Sequence, residues 1–312
     1  MANHSGDNIT YERHYQTVGY EASDYIWNIL MTCGNFLRLD FYQFKAIITI
    51  IALVMIFYAL KDETTNLYYV ILMYAMSFVF MDSQVLRNFL AMSVLLFSVR
   101  YLKDIQNRKN FFKYIICIVI ATGIHKSFMI YIILLLLLLK NEKSFRWIIA
   151  FLGISLLGIT IISGEIPFLD DILQYIDLGD KSSVFETRTG YGGIPVILIH
   201  LYTIFIIKNL CERLKNRYTK EQLNFYNTVY FIDICMITIL PLLLLNLNFY
   251  RLIKNVTLLN YAVLANAFSN YKNASSKFIV FMATAILAIA WFIFETNIFG
   301  NMEDVVFTVL NP

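Results

Sequence analysis

The chain is a succession of apolar blocks, such as AIITIIALVMIFYAL after Lys45 and FMIYIILLLLLL before Lys140, joined by short charged connections. Blocks of this length suit helices in a bilayer, because about 20 residues at 1.5 Å rise cover the hydrocarbon. An ordinary soluble domain carries about 25% charged residues. This chain carries 15%, with 59% apolar residues and a mean hydropathy of +0.62. These values exclude an ordinary soluble domain.

The blocks predict ten spans, near 44–60, 67–81, 86–102, 111–124, 127–139, 147–163, 194–207, 225–245, 253–269 and 278–294. The expected fold class is an all-α polytopic membrane protein. Residues 1–43 form an N-terminal segment, 44–294 the transmembrane bundle with a long loop at 164–195, and 295–312 a tail. Lys and Arg favour cytoplasmic loops. With the segments after the first, third, fifth, seventh and ninth spans on the cytoplasmic side, that side holds 16 of the 25 cations against six acids. The other side keeps nine cations and 15 acids, and Asp233 lies within a span. Both termini and the 164–195 loop are therefore predicted outside the cytoplasm. No signal peptide leads the first 40 residues. The expectation is that a first helix is missing from this chain, or alternatively that the short segment crosses unaided. Cys33, Cys117, Cys211 and Cys235 are scattered with no C-x-x-C pair, so they read as packing residues.

A few cations are not explained by this placement. Arg87 follows a tight turn at Asp82 and Ser83 on the outer side, where the positive-inside bias does not favour it. It either snorkels to the interface or contacts an anion. Residues 111–139 are too few for two full crossings and a turn, so the GIHKS turn should sit below the membrane surface and line a recess. His125 and Lys126 make that recess basic. Arg188, in TRTGYGG at the end of the long loop, lies among glycines that let backbone amides approach an anion. Arg251 follows the eighth span in LNLNFYRLIKN, again at the outer face, beside the aromatic belt residues Phe249 and Tyr250. Asp170-Asp171 reads as helix-start chemistry or solvation, so neither a metal nor another cofactor is expected.

QVLRNFLAMSVLLFSVRYLKDIQNRKNFFKYIICIVIATGIHKSFMIYIIL resembles the core of the EpsG family of exopolysaccharide polymerases, which belong with the Wzy-type polymerases. Arg87 and His125 match the arginine and histidine of that pattern. GDNITYERHY is similar to an early family segment, here Asp7, Tyr11 and Tyr15, and Glu21 precedes the next helix as an acid does in the family. The resemblance covers residues 6–139, with Arg251 a looser match and Arg188 carried over only through position. The resemblance leads one to expect a helix before this segment, so that the start is either truncated or the N-terminal half arranged differently, and His4 stands where an arginine often does.

The resemblance implies a Wzy-type, GT-C-like helical bundle in the bacterial cytoplasmic membrane. It implies polymerisation of undecaprenyl-pyrophosphate-linked repeat units at the outer face, for exopolysaccharide, capsule or O-antigen. In that role Arg87, Arg251, Arg188 and Lys126 would bind pyrophosphate, and His125 would bind it or assist proton transfer. Asp7, Glu21 and Asp82 are alternative bases. The expected partners are the lipid-linked glycan, the bilayer, and a chain-length regulator and flippase of the same pathway; nucleic acid is not expected. The alternatives are a flippase or other transporter of lipid-linked oligosaccharide and a membrane glycan acyltransferase. The first would line a path across the bilayer with charge, and the second would need a polar partner for His125.

Overall fold

A computed structural model describes residues 6–17, 24–82, 84–139, 143–163 and 190–299, and every element among these is helical. In chain order they are α1 (Gly6–Gln16), α2 (Tyr25–Phe36), α3 (Phe41–Leu60), α4 (Leu67–Ser77), the short α5 (Val79–Asp82), α6 (Leu86–Leu102) and α7 (Arg108–Ile124). A 3-10 segment, Lys126–Leu139, precedes α8 (Lys143–Ser163). A 3-10 turn at Gly190–Gly193 leads into α9 (Ile194–Glu212), followed by α10 (Lys220–Met236), the short α11 (Leu242–Leu245), α12 (Tyr250–Asn270) and α13 (Ala274–Phe299).

Each of the ten expected spans falls on a helical stretch. Among the described residues, three helices are by length and composition able to cross a membrane: Phe41–Leu60, Ile194–Glu212 and Ala274–Asn297. The expected 225–245 span is broken: α10 ends at Met236, and Pro241 separates a 3-10 turn from α11. Proline has no N–H to give an α-helical ladder, and its ring crowds the preceding turn. Helix also extends beyond the expected 44–294 bundle. α1 and α2 lie within the N-terminal segment, and α13 continues through Phe299.

Local chemistry sets several helix starts. Asp40 and Gln43 form a reciprocal capping box at α3, with bonds of 2.8 and 3.1 Å, and Thr219 and Gln222 do the same at α10. Asn66 and Asn107 cap α4 and α7. The α6, α9 and α12 starts follow Val85, Gly193 and Phe249, which make no side-chain cap bond. Their first N–H groups thus lack the usual partner from the capping side chain.

The 127–139 block is a 3-10 helix rather than the expected α-helix. Its buried residues, Phe128, Tyr131, Leu134 and Leu137, recur every third position, the period at which 3-10 side chains eclipse. At about 2.0 Å rise per residue, its 14 residues extend roughly 28 Å. The shortness expected of this arm is therefore corrected: it nearly matches a bilayer's ~30 Å hydrocarbon core.

α6 and α12 form the centre. All of α12 from Leu252 to Ala267 is buried, and α6 is buried on nearly every face. A helix buried all round belongs in the middle of a bundle. By contrast α3, α8 and α13 expose Ile50, Val54, Phe57, Phe151, Ile154, Phe278 and Ile286, giving the apolar periphery expected of a protein that sits in lipid.

α12 nevertheless carries polar residues, and three of its asparagines tie it to different neighbours. Asn255 and Asn88 on α6 exchange amide bonds at 3.0 and 3.3 Å. Asn260 donates to Asp233 on α10 at 3.1 Å, and Asn266 donates to the Glu63 carbonyl at 2.7 Å. Such bonds fix helix register where lipid supplies no hydrophobic drive between helices. Asp233 is fully buried among helices, as its position in FIDIC suggested.

Candidate functional site

These ties define two ends of the bundle. The Asn88–Asn255 pair sets the N-terminal turns of α6 and α12 side by side. At the other end, Asn266 reaches Glu63, and Lys103, just past α6, pairs with Glu63 at 2.6 Å. α6 and α12 therefore run in the same direction. α9 runs with them. Tyr271 donates to the Leu210 carbonyl near its end, and at its start Gly193 packs so closely on α11 that a Cβ there would lie 2.6 Å from the Leu243 oxygen. Three helix starts without side-chain caps thus share one end, and each presents the positive pole of its dipole there.

Arg87 lies in the first turn of α6 at this end. Its Nη1 donates to Asp24 Oδ2 at 2.7 Å, its Nε approaches the Tyr11 hydroxyl at 3.5 Å, and its guanidinium carbon lies 5.3 Å from the Tyr11 ring centre. The Asp24 side chain is 5% exposed and that of Arg87 22%. The pair is thus shielded on the acid's side and open on the arginine's. The other Asp24 oxygen, Oδ1, accepts the backbone N–H of Lys126 at 3.1 Å. One carboxylate therefore links the arginine of α6 to the turn that carries His125.

That turn is built locally. His125 ends α7 with its N–H on the Ala121 carbonyl at 2.8 Å, and its own backbone is extended (φ −149°, ψ 113°), which stops the α-helix. Its Nδ1 lies 3.1 Å from the Ser127 hydroxyl, and its ring is 6.0 Å from that of Phe128. His125 is half-buried and Lys126 exposed. Tyr131, two residues after Met129 on the same arm, donates to the Leu252 carbonyl at 2.7 Å, next to Arg251. Arg251 is half-buried with its guanidinium 6.0 Å from the Tyr250 ring. Arg87, His125, Lys126 and Arg251 therefore belong to one end of the bundle.

Asp82 sits differently. It is fully buried, with Oδ1 2.7 Å from Lys254 Nζ and Oδ2 accepting the Tyr74 hydroxyl at 2.7 Å. Lys254 also pairs with Glu295 at 2.8 Å, and none of the three side chains is more than 1% exposed. This triad joins α5, α12 and α13. Glu21 and Arg188 lie outside the described residues, as does the loop over 164–189. Asp7 falls in α1, but its side chain is outside the described set. Among the described residues no group of three His, Cys, Asp or Glu side chains could hold a metal.

Asp24, Tyr11 as a ring partner, and Lys254 and Glu295, the partners of Asp82, are not singled out from sequence as site residues. Asp24 did carry a signal: an acid directly before the first residue of an apolar helix, YIWNIL, is a common helix-start position. Lys254 carried none, since a lysine one turn past Arg251 reads as a second interfacial anchor.

No curated protein and no solved structure shows significant similarity to the chain. The family model for EpsG matches residues 1–303, a span that takes in α1, the Arg87–Asp24 pair, the His125 turn and all of α12 and α13. The chain belongs to the EpsG family.

Proposed function

We propose that this helical membrane protein of exopolysaccharide biosynthesis polymerises glycan repeat units carried on undecaprenyl pyrophosphate, at the outer face of the cytoplasmic membrane. The observation that carries this reading is the Arg87–Asp24–Lys126 linkage. It holds a guanidinium and a histidine-bearing turn at the end of the bundle where three helices present their starts. Basic residues at the opposite end, such as Lys61, Arg108, Lys208 and Arg217, support placing that end in the cytoplasm. We read the chain as crossing the membrane ten times.

In the reaction, the bond between the anomeric carbon and pyrophosphate breaks. A bond forms from that carbon to a hydroxyl oxygen of the acceptor repeat, and the hydroxyl proton passes to a base. Negative charge grows on pyrophosphate while the sugar ring becomes cation-like. Arginine suits this leaving group because its planar fork stays charged and matches phosphate oxygens. In a partly dry site each such donor contributes on the order of a few kcal/mol to the transition state. Arg87 and Arg251 are the proposed clamp, with Lys126 and Arg188 beside them and His125 binding the phosphate or moving a proton. Asp24 orients Arg87. Among the base candidates Asp7 and Glu21 are favoured over Asp82, whose carboxylate is shut from solvent and already held by Lys254.

The test is Arg87→Ala expressed at normal abundance in cells that make the polymer. Single lipid-linked repeats should accumulate on the outer face and polymer should disappear. Repeats accumulating on the cytoplasmic face would indicate a flippase, and unchanged chain length would overturn the assignment.

A further inference from the structure

Two lysines from the end of α9 and the turn after it line one cavity toward the end of the bundle opposite Arg87. The cavity, about 290 Å³, lies between the first turns of α8, the end of α9 and the middle of α10. Lys208, Glu212 and Lys215 line it from α9 and the turn after it, Trp147 from α8, and Tyr226 and Tyr230 from α10. The Lys208 ammonium lies 5.8 Å from the Trp147 ring centre, and the two tyrosine rings stack at 6.1 Å with planes 19° apart. Lys215 is paired with Glu212 at 2.8 Å. An anchor lysine needs only to reach water. These lysines instead face a concave space walled by aromatic rings.

We propose that this cavity binds a phosphodiester, that of an anionic phospholipid headgroup in particular. Two ammonium groups and one carboxylate leave the site with a net charge of about +1 at neutral pH. That balance suits a singly charged diester, and the Glu212 carboxylate disfavours a doubly charged monoester. Lys208 takes the phosphate, while Lys215 is shared between it and Glu212. Trp147, 71% exposed, lies where an interfacial ring meets the headgroup and the upper acyl chain. Basic pockets between helices on the cytoplasmic side of membrane proteins take headgroups of this kind. The site is independent of the polymerase chemistry proposed for the opposite end.

The experiment is native mass spectrometry of the intact protein released from detergent, titrated with dioleoyl phosphatidylglycerol or dioleoyl phosphatidylcholine. Glycerophosphoglycerol, the same diester without acyl chains, is the competitor. Phosphatidylglycerol should be retained in preference to phosphatidylcholine. Lys208→Gln should weaken that retention about five-fold, and Lys208→Gln with Lys215→Gln about 25-fold. Lys208→Arg should preserve it, which separates loss of charge from loss of fold. Lys272→Gln with Lys277→Gln, outside the cavity at the same end, should change it little. Displacement by glycerophosphoglycerol supports a site satisfied by the soluble diester, and its failure to displace bound phosphatidylglycerol supports a lipid site. Equal retention of the two lipids without glycerophosphoglycerol binding overturns the proposal, as does retention indifferent to Lys208→Gln.

Discussion

Replacing Lys254 with methionine should be among the most damaging single changes in the bundle. Lys254 is 1% exposed and lies 2.7 Å from Asp82 and 2.8 Å from Glu295, which are themselves buried. Methionine fills much of the same volume, so the cost is electrostatic: two carboxylates remain close together in a dry interior without their cation. Breaking a buried ion pair by removing one partner typically costs 3–5 kcal/mol. With a melting shift of about 2–4 °C per kcal/mol, the midpoint should fall by roughly 6–20 °C. The assay is thermal aggregation of the detergent-solubilised protein, followed by size-exclusion chromatography of what remains soluble. Lys254→Met combined with Asp82→Asn and Glu295→Gln should recover most of the loss, because no uncompensated charge is left and Tyr74 can still donate to the amide oxygen. A Lys254→Met protein as stable as the parent would refute the buried triad. A triple variant no better than the single one would refute the charge-based explanation.

Three further outcomes follow from the geometry. Asp24→Asn keeps the shape but weakens the charge-assisted bond to Arg87; polymer yield on gels should drop about ten-fold at unchanged protein abundance, and undiminished yield would remove Asp24 from the site. Gly193→Ala would set a methyl group 2.6 Å from the Leu243 carbonyl, a backbone atom with little room to move, so the start of α9 should shift and the thermal midpoint should fall; an unchanged midpoint would contradict the close packing of α9 on α11. Single cysteines at positions 180 and 215, in a background lacking the native four, report orientation: an impermeant thiol reagent added to intact cells should label 180 and not 215, and the reverse pattern would invert the topology.

Much of the helix placement was legible because apolar blocks broken by charge announce their own lengths. What escaped notice has physical causes. α1, GDNITYERHYQ, has no apolar face of its own; Tyr11 and Tyr15 anchor it by docking on Trp27, Phe41 and Phe44, a tertiary effect that periodicity does not report. The leucine run in 127–139 offers no polar residues to mark its period, so a repeat of three looked like any other apolar helix. Pro241 was visible in the sequence, but the leucines around it masked the break. At the site, charge counting put Arg87, His125 and Arg251 on one side, and the bundle brings them to one end. Charge counting cannot choose among carboxylates, because burial and aim decide. Asp24 is shielded and aimed at Arg87, whereas Asp82 is turned inward to Lys254.

The most direct test of the central claim is reconstitution. The purified protein in liposomes would receive a synthetic undecaprenyl-pyrophosphate-linked repeat unit and no nucleotide sugar. The account predicts a ladder of longer lipid-linked glycans, one undecaprenyl pyrophosphate released per glycosidic bond formed, and neither product from Arg87→Ala. Repeat units left single by the folded wild-type protein, or a ladder of equal strength from Arg87→Ala, would contradict it.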